Sequence, residues 1–265
     1  MRRPLLLASA LLPLLAAPCP ALAQYRDLEF SAKRDGSANA AGASKIVIDA
    51  RAGSLRVNGK SGSREVRATG TAYASTKDLL DDVRLTTERR GDQVVVLVDI
   101  PERDGWDDDM QALLDLTIEV PDNIALEIED SSGEAHVIGV AGVEIDDGSG
   151  SLILESLGGP LTVHDGSGEL RIEKVRGDVR VRDGSGEIEV REVTGSLTIE
   201  TDGSGAIDVD GVTERMHVES DGSGPINARN VGGDFVVDRK GSGGIRYRDV
   251  KGDVQIPRNK REGYR

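Results

Sequence analysis

The phrase Asp-Gly-Ser-Gly occurs five times along the chain, beginning at Asp147, Asp165, Asp183, Asp202 and Asp221. A degraded copy (Asp-Ser-Ser-Gly) opens at Asp130 and a last one (Lys-Gly-Ser-Gly) at Lys240, so the steps are 17, 18, 18, 19, 19 and 19 residues. A period of this size marks a solenoid, in which one repeat is one coil that buries its apolar face only against its neighbours. The repeat constrains architecture and by itself names neither a ligand nor a reaction.

Within a coil the residues alternate. After the turn at Asp183, Ile188 and Val190 alternate with Glu187, Glu189 and Arg191; Val193 and Gly195 follow, then Leu197 and Ile199 alternate with Ser196, Thr198 and Glu200. Period-two alternation means strands with one face dry and one wet. The same five inward positions can be read in the other coils, from Ala135, Val137, Val140, Val143 and Ile145 to Ile245, Tyr247, Val250, Val254 and Ile256. The columns are aliphatic and medium-sized, which fits a narrow interior where large rings would force coils apart. The expected fold is all-β: a single parallel β-solenoid, right-handed like nearly all parallel strand crossovers.

The outward positions support the register. Glu173 is followed in successive coils by Arg191, Asp210, Arg229 and Arg248, and Arg171 by Glu189, Asp208, Asn227 and Arg246. Opposite charges facing each other across a ladder contribute about 0.2–1 kcal/mol per pair. This face reads as solvated and self-complementary rather than as a substrate groove.

Residues 1–23 read as a secretory signal peptide: Arg2 and Arg3, an apolar run from Leu5 to Ala17, then Ala21-Leu22-Ala23 before Gln24. The only cysteine, Cys19, lies inside it, so after ordinary cleavage no thiol remains; lipidation of Cys19 is the alternative. The organisation expected is a flexible entry segment (24–44), a solenoid domain (45–257) and a basic tail (258–265). The N-terminal coils carry insertions over 60–115, and regular repeats fill 116–257. Within the insertion, Ser75 or Thr76 is placed to cap one or two helical turns, and Val94 to Val98 forms a strand. The tail carries Arg258, Lys260, Arg261 and Arg265, which suits a guard over the last open edge. A net charge of −14 speaks against nucleic acid and anionic membrane surfaces as partners. No mature segment is apolar enough to span a bilayer. A periplasmic, secreted or cell-surface location follows.

The stacked aspartates suggest calcium. A calcium β-roll, however, needs a ligating Asp where this chain has Leu170, Ile188 or Ile207. Carboxylates one coil apart repel by about 0.9 kcal/mol in water and by about 3.5 kcal/mol at an effective dielectric of 20. An exposed Asp offsets the first figure with an Asx-turn hydrogen bond worth about 1 kcal/mol, so turn chemistry suffices and no cofactor is expected. The turn serines Ser149, Ser167, Ser185, Ser204 and Ser223 have no neighbouring His to act as base. His136, His164 and His217 fall at outward positions of three different coils. The one tryptophan, Trp106, stands in an acidic loop with Asp107, Asp108 and Asp109, which makes these four residues the candidate contact point. A lid over the first coils is the competing role for Trp106.

The succession of signal peptide, N-terminal strand block, Leu-Thr-Ile-Glu-Val-Pro step (Leu116 to Pro121) and Gly-Ser-Gly strand repeats resembles the DUF4097 family of exported bacterial strand-repeat proteins. The resemblance covers about residues 40–256. It implies a β-solenoid at the cell envelope with adhesin-like character, and it implies no catalytic residues. The expectation is a non-enzymatic binding or structural element whose partner is an envelope protein or polysaccharide. A polysaccharide lyase or hydrolase on the same scaffold is the alternative.

Overall fold

The computed structural model describes residues 28–101 and 111–257. The signal segment 1–23, the acidic Trp106 loop and the basic tail lie outside the described residues. From Ala125 onward the chain winds as a parallel solenoid with two long faces. One face stacks Ala125–Ile138 (by its second half), Gly150–Leu157, Gly168–Arg176, Ile188–Thr194, Ile207–Val212, Ile226–Val231 and Ile245–Val250. The other stacks the first half of Ala125–Ile138 on Val143–Asp147, Leu161–Asp165, Val179–Asp183, Leu197–Asp202, Met216–Ser223, Phe235–Ser242 and Val254–Gln255.

The register is the one the alternation demands. Leu170 faces Ile188, Ile188 faces Ile207, and Val190 faces Val209 in neighbouring coils. All five columns from the coil of Ala135 to the coil of Phe235 are buried. The outward ladder matches as well: Glu173 lies against Arg191, Arg191 against Asp210, and Asp210 against Arg229. Arg171 and Arg229 reach the acids of adjoining coils, Glu189 at 3.1 Å and Asp210 at 3.3 Å.

Three expectations need correction. Residues 30–39, read as part of a loose entry segment, form the strand Phe30–Asn39, paired antiparallel with Glu65–Ala74 over its whole length. The insertion is likewise not wholly parallel: Glu65–Ala74 runs antiparallel to Ala112–Pro121 and Arg84–Arg90 to Gln93–Asp99, while Gln93–Asp99 also pairs parallel with Lys45–Ala52 and Ala112–Pro121 with Leu55–Lys60. A two-residue return makes the pair Arg84–Arg90 and Gln93–Asp99 a hairpin, whereas the other two antiparallel pairs join strands with other elements between them. The helix of this block, Lys77–Asp82, is capped by Thr76, whose hydroxyl accepts the Leu79 amide at 3.2 Å. Lastly, the column residues of the final coil are not enclosed: Tyr247 is 50% and Ile256 40% exposed. No described coil stacks beyond them.

Candidate functional site

The Asp-Gly-Ser-Gly corner is explained residue by residue. The second glycine adopts positive φ in every copy, 140° at Gly168 and 144° at Gly205, where an L side chain is strained. A Cβ on Gly168 would stand 1.5 Å from the Gly150 carbonyl oxygen, and one on Gly205 1.5 Å from that of Gly186. The first glycine is nearly as confined: a Cβ on Gly184 would meet the Gly166 oxygen at 2.3 Å. The corner is thus a stack of backbones in near contact.

The aspartate that opens each corner points inward. Asp130, Asp147, Asp165, Asp183, Asp202 and Asp221 are each between 1% and 6% exposed. The reading of these carboxylates as exposed is therefore overturned, and the expected Asx-turn bond is well formed at Asp165 alone among the described residues. The glycine amide of each turn is committed to the preceding coil: Gly166 N donates to Asp147 O at 2.8 Å, and Gly184 N to Asp165 O at 2.9 Å. Among the described residues, only one oxygen of the six carboxylates, Asp165 Oδ1, receives a well-formed hydrogen bond, from Ser167 N at 3.1 Å. The strand alternation carries the signal that finds this. Val179 and Val181 point in, and two residues further Asp183 continues the same phase. The general rule that charged residues lie outside competes with that phase at the corner.

Burial changes the magnitude that decides. The relevant repulsion becomes the low-dielectric one, about 3.5 kcal/mol per adjacent pair if all were ionised. Accordingly burial, with the Asp147 charge beside it, pushes the Asp130 carboxyl up to about 7. Burial and Asp165 push Asp147 up to about 6. Asp165, Asp183 and Asp202 are raised as well, first by burial. Lys240 occupies the column's next position, in register with Asp221. Its ammonium lies 3.7 Å from the Asp221 carboxylate, with the Gly224 and Ser242 carbonyls at 3.3 Å and 3.0 Å.

At the opposite corner a second column appears that no motif announces. Ser156, Lys174, Glu192, Asn230 and Asp249 all have φ between 55° and 58°, with Gly211 at 88° completing the row. Each is an extra residue that bends one strand between two inward side chains, as Lys174 does between Ile172 and Val175, and it is skipped in the ladder where Glu173 faces Arg191 and Val175 faces Val193. The signal is faint because any residue type fills the position. Beside this column runs an open groove of about 970 Å³. Its polar lining comes from Lys174, Arg176, Glu192, Thr194, Thr213, Asn230, Asp249 and Lys251.

The histidines do not converge. His164 pairs with Asp146 at 2.7 Å, His217 with Asp238 at 2.8 Å, and His136 lies 3.0 Å from Arg56. The turn serines stand in one file, one per coil, none beside a histidine base. Among the described residues no three His, Cys, Asp or Glu side chains form a group able to hold a metal ion. Trp106, Asp107, Asp108 and Asp109 lie outside the described residues.

These features define an all-β solenoid with two functional-looking corners. Neither a family model nor a curated protein matches the chain. Among solved structures it is similar to a "putative adhesin" from Bacteroides fragilis, at 14% identity over 87% of this chain and 99% of that one, TM-score 0.41. It is also similar to a "putative lipid binding protein" from Parabacteroides distasonis, at 15% identity over 86% and 98% of the two chains, TM-score 0.41. A "putative cell adhesion protein" from Clostridium sporogenes matches at 11% identity over 86% and 99%, TM-score 0.29. At these identities and scores the likeness says nothing of ligand or activity.

Proposed function

We propose that this chain is an exported, non-enzymatic solenoid that serves as an adhesin-like binding or structural element of the bacterial envelope, as the DUF4097 resemblance implies. The observation that carries the binding role is the groove along the positive-φ corner. It runs across six successive coils and presents a row of hydroxyl, amide and charged groups to one side. Such a row suits an extended polymer, polysaccharide or peptide, whose repeating polar groups meet one coil after another. A strand spacing of about 4.8 Å sets the pitch of those contacts.

The groove's composition favours binding over glycoside cleavage. Its carboxylates, Glu192 and Asp249, stand three coils apart, about 14 Å at the usual strand spacing. Paired glycosidase carboxyls sit about 5–9.5 Å apart. No aromatic platform lines the groove. Among the described residues no helix is long and apolar enough to cross a membrane. Trp106, with Asp107, Asp108 and Asp109, is a second proposed contact.

The test is retention of the chain lacking residues 1–23 on immobilised envelope polysaccharides and peptidoglycan. The double variant Lys174→Glu, Lys251→Glu should lose retention while keeping its melting temperature, and Trp106→Ala should weaken it. New reducing ends released from any of these polymers would replace the binding reading by the enzymatic one.

A further inference from the structure

The aspartate column is a buried row of carboxyls that meets one cation, Lys240, among the described residues. Asp165 lies in register with Asp183, Asp183 with Asp202 and Asp202 with Asp221, all buried, on neighbouring strands about 4.8 Å apart. Two carboxylates at that separation have no donor between them; a carboxylic acid and a carboxylate do. At the N-terminal end Asp130 meets Asp147 and, beyond it, Asp49. At the other end stands Lys240. The other basic side chains of the rim are engaged elsewhere: Arg182 with Glu200, His164 with Asp146, Arg51 with Asp49. One ammonium cannot neutralise six carboxylates, and the donors missing between neighbours are protons.

We propose that the aspartate column is a proton-sharing ladder closed by Lys240, which makes the stacking of coils tightest at mildly acid pH and looser as the pH passes through neutrality. In each shared pair the protonated carboxyl donates its O–H to the carboxylate of the next coil. Raising the pH removes these protons and leaves adjacent buried anions. The direction follows from linkage. Asp130, Asp147, Asp165, Asp183 and Asp202 hold their protons to higher pH in the folded chain than in the unfolded one, where aspartate titrates near pH 4. The stabilisation is complete below that value and is lost as the pH rises through the folded values, about 6 for Asp147 and about 7 for Asp130. This is opposite to the behaviour of a salt-bridged aspartate. The proposal is independent of what the groove binds.

The experiment is thermal unfolding of the full secreted chain from about pH 5 to about pH 8, in chelator and in calcium. The melting temperature should fall by about 10 °C across this range in either medium. Asp202→Asn, uncharged and able to donate, should flatten the fall. Glu187→Gln, which removes an exposed acid from the same coil, should leave the slope as it is. A flat wild-type profile, or equal slopes for the Asp202 and Glu187 variants, would overturn the ladder, since general acidity then explains any trend. Calcium restoring the acid-side melting temperature at about pH 8 would also overturn it, by making the column a cation site. Should Asp202→Asn not fold, carboxyl infrared absorption of the wild type decides. A protonated band must persist at about pH 6, where exposed carboxylates are ionised, and its absence would end the proposal.

Discussion

Asp221 and Lys240 face each other in register across the last full coil interface, buried together, with the ammonium 3.7 Å from the carboxylate. The lysine side chain is only 8% exposed. The final degenerate copy of the motif is thus no erosion of the repeat: it substitutes a cation where a further aspartate would extend an unpaired row. Breaking such a pair by removing one partner costs about 3–5 kcal/mol. Lys240→Met should lower stability by about that much at neutral pH, and the double variant with Asp221→Asn should recover most of it. Urea unfolding of the single and double variants measures the coupling.

Stacking makes position along the solenoid decisive. Val190 is fully buried between two coils, whereas Ile256 is 40% exposed at the open end. Val190→Asp should cost several kcal/mol and unfold the middle coils. Ile256→Asp should cost less than about 1 kcal/mol. Equal melting temperatures for the two would contradict the architecture.

The corner glycines differ in kind from the turn glycines of the N-terminal block. Gly205→Ala would place a methyl group 1.5 Å from the Gly186 oxygen at a φ of 144°, so two coils must separate. A loss of about 3 kcal/mol or more is expected, in the range of strained or overpacked sites. Gly62→Ala, with φ of 72° and nothing within 4 Å, should cost only about 1 kcal/mol of backbone strain. Denaturant midpoints of the two variants test this contrast.

The positive-φ column beside the groove should respond in graded fashion. Glu192 has φ of 55° and a side chain with no special tolerance for that region, so Glu192→Gly should stabilise by up to about 1 kcal/mol. Asn230, at 56°, is of the residue type that enters this region most readily after glycine, and its amide bonds Asp210 at 2.6 Å. Asn230→Gly should therefore gain nothing or lose slightly. Melting curves separate the two cases.

The coil, its period and its inward columns follow from the sequence because alternation and spacing are local properties, repeated until chance agreement is excluded. The outward charge ladder from Glu173 to Arg229 was legible for the same reason. What lay beyond it needed the fold. The inward phase of the aspartates can be read from Val179, Val181 and Asp183, but that they find almost no donor there is decided by the neighbouring coils packed around them. The ordering of Phe30–Asn39 depends on an antiparallel partner far along the chain, from Asn39 against Glu65 to Phe30 against Ala74. The groove depends on a column defined by backbone angle rather than residue type. Sequence determined which residues repeat; only tertiary structure decided which of the repeated groups lost water and partner together, because desolvation is a property of neighbours and not of the chain.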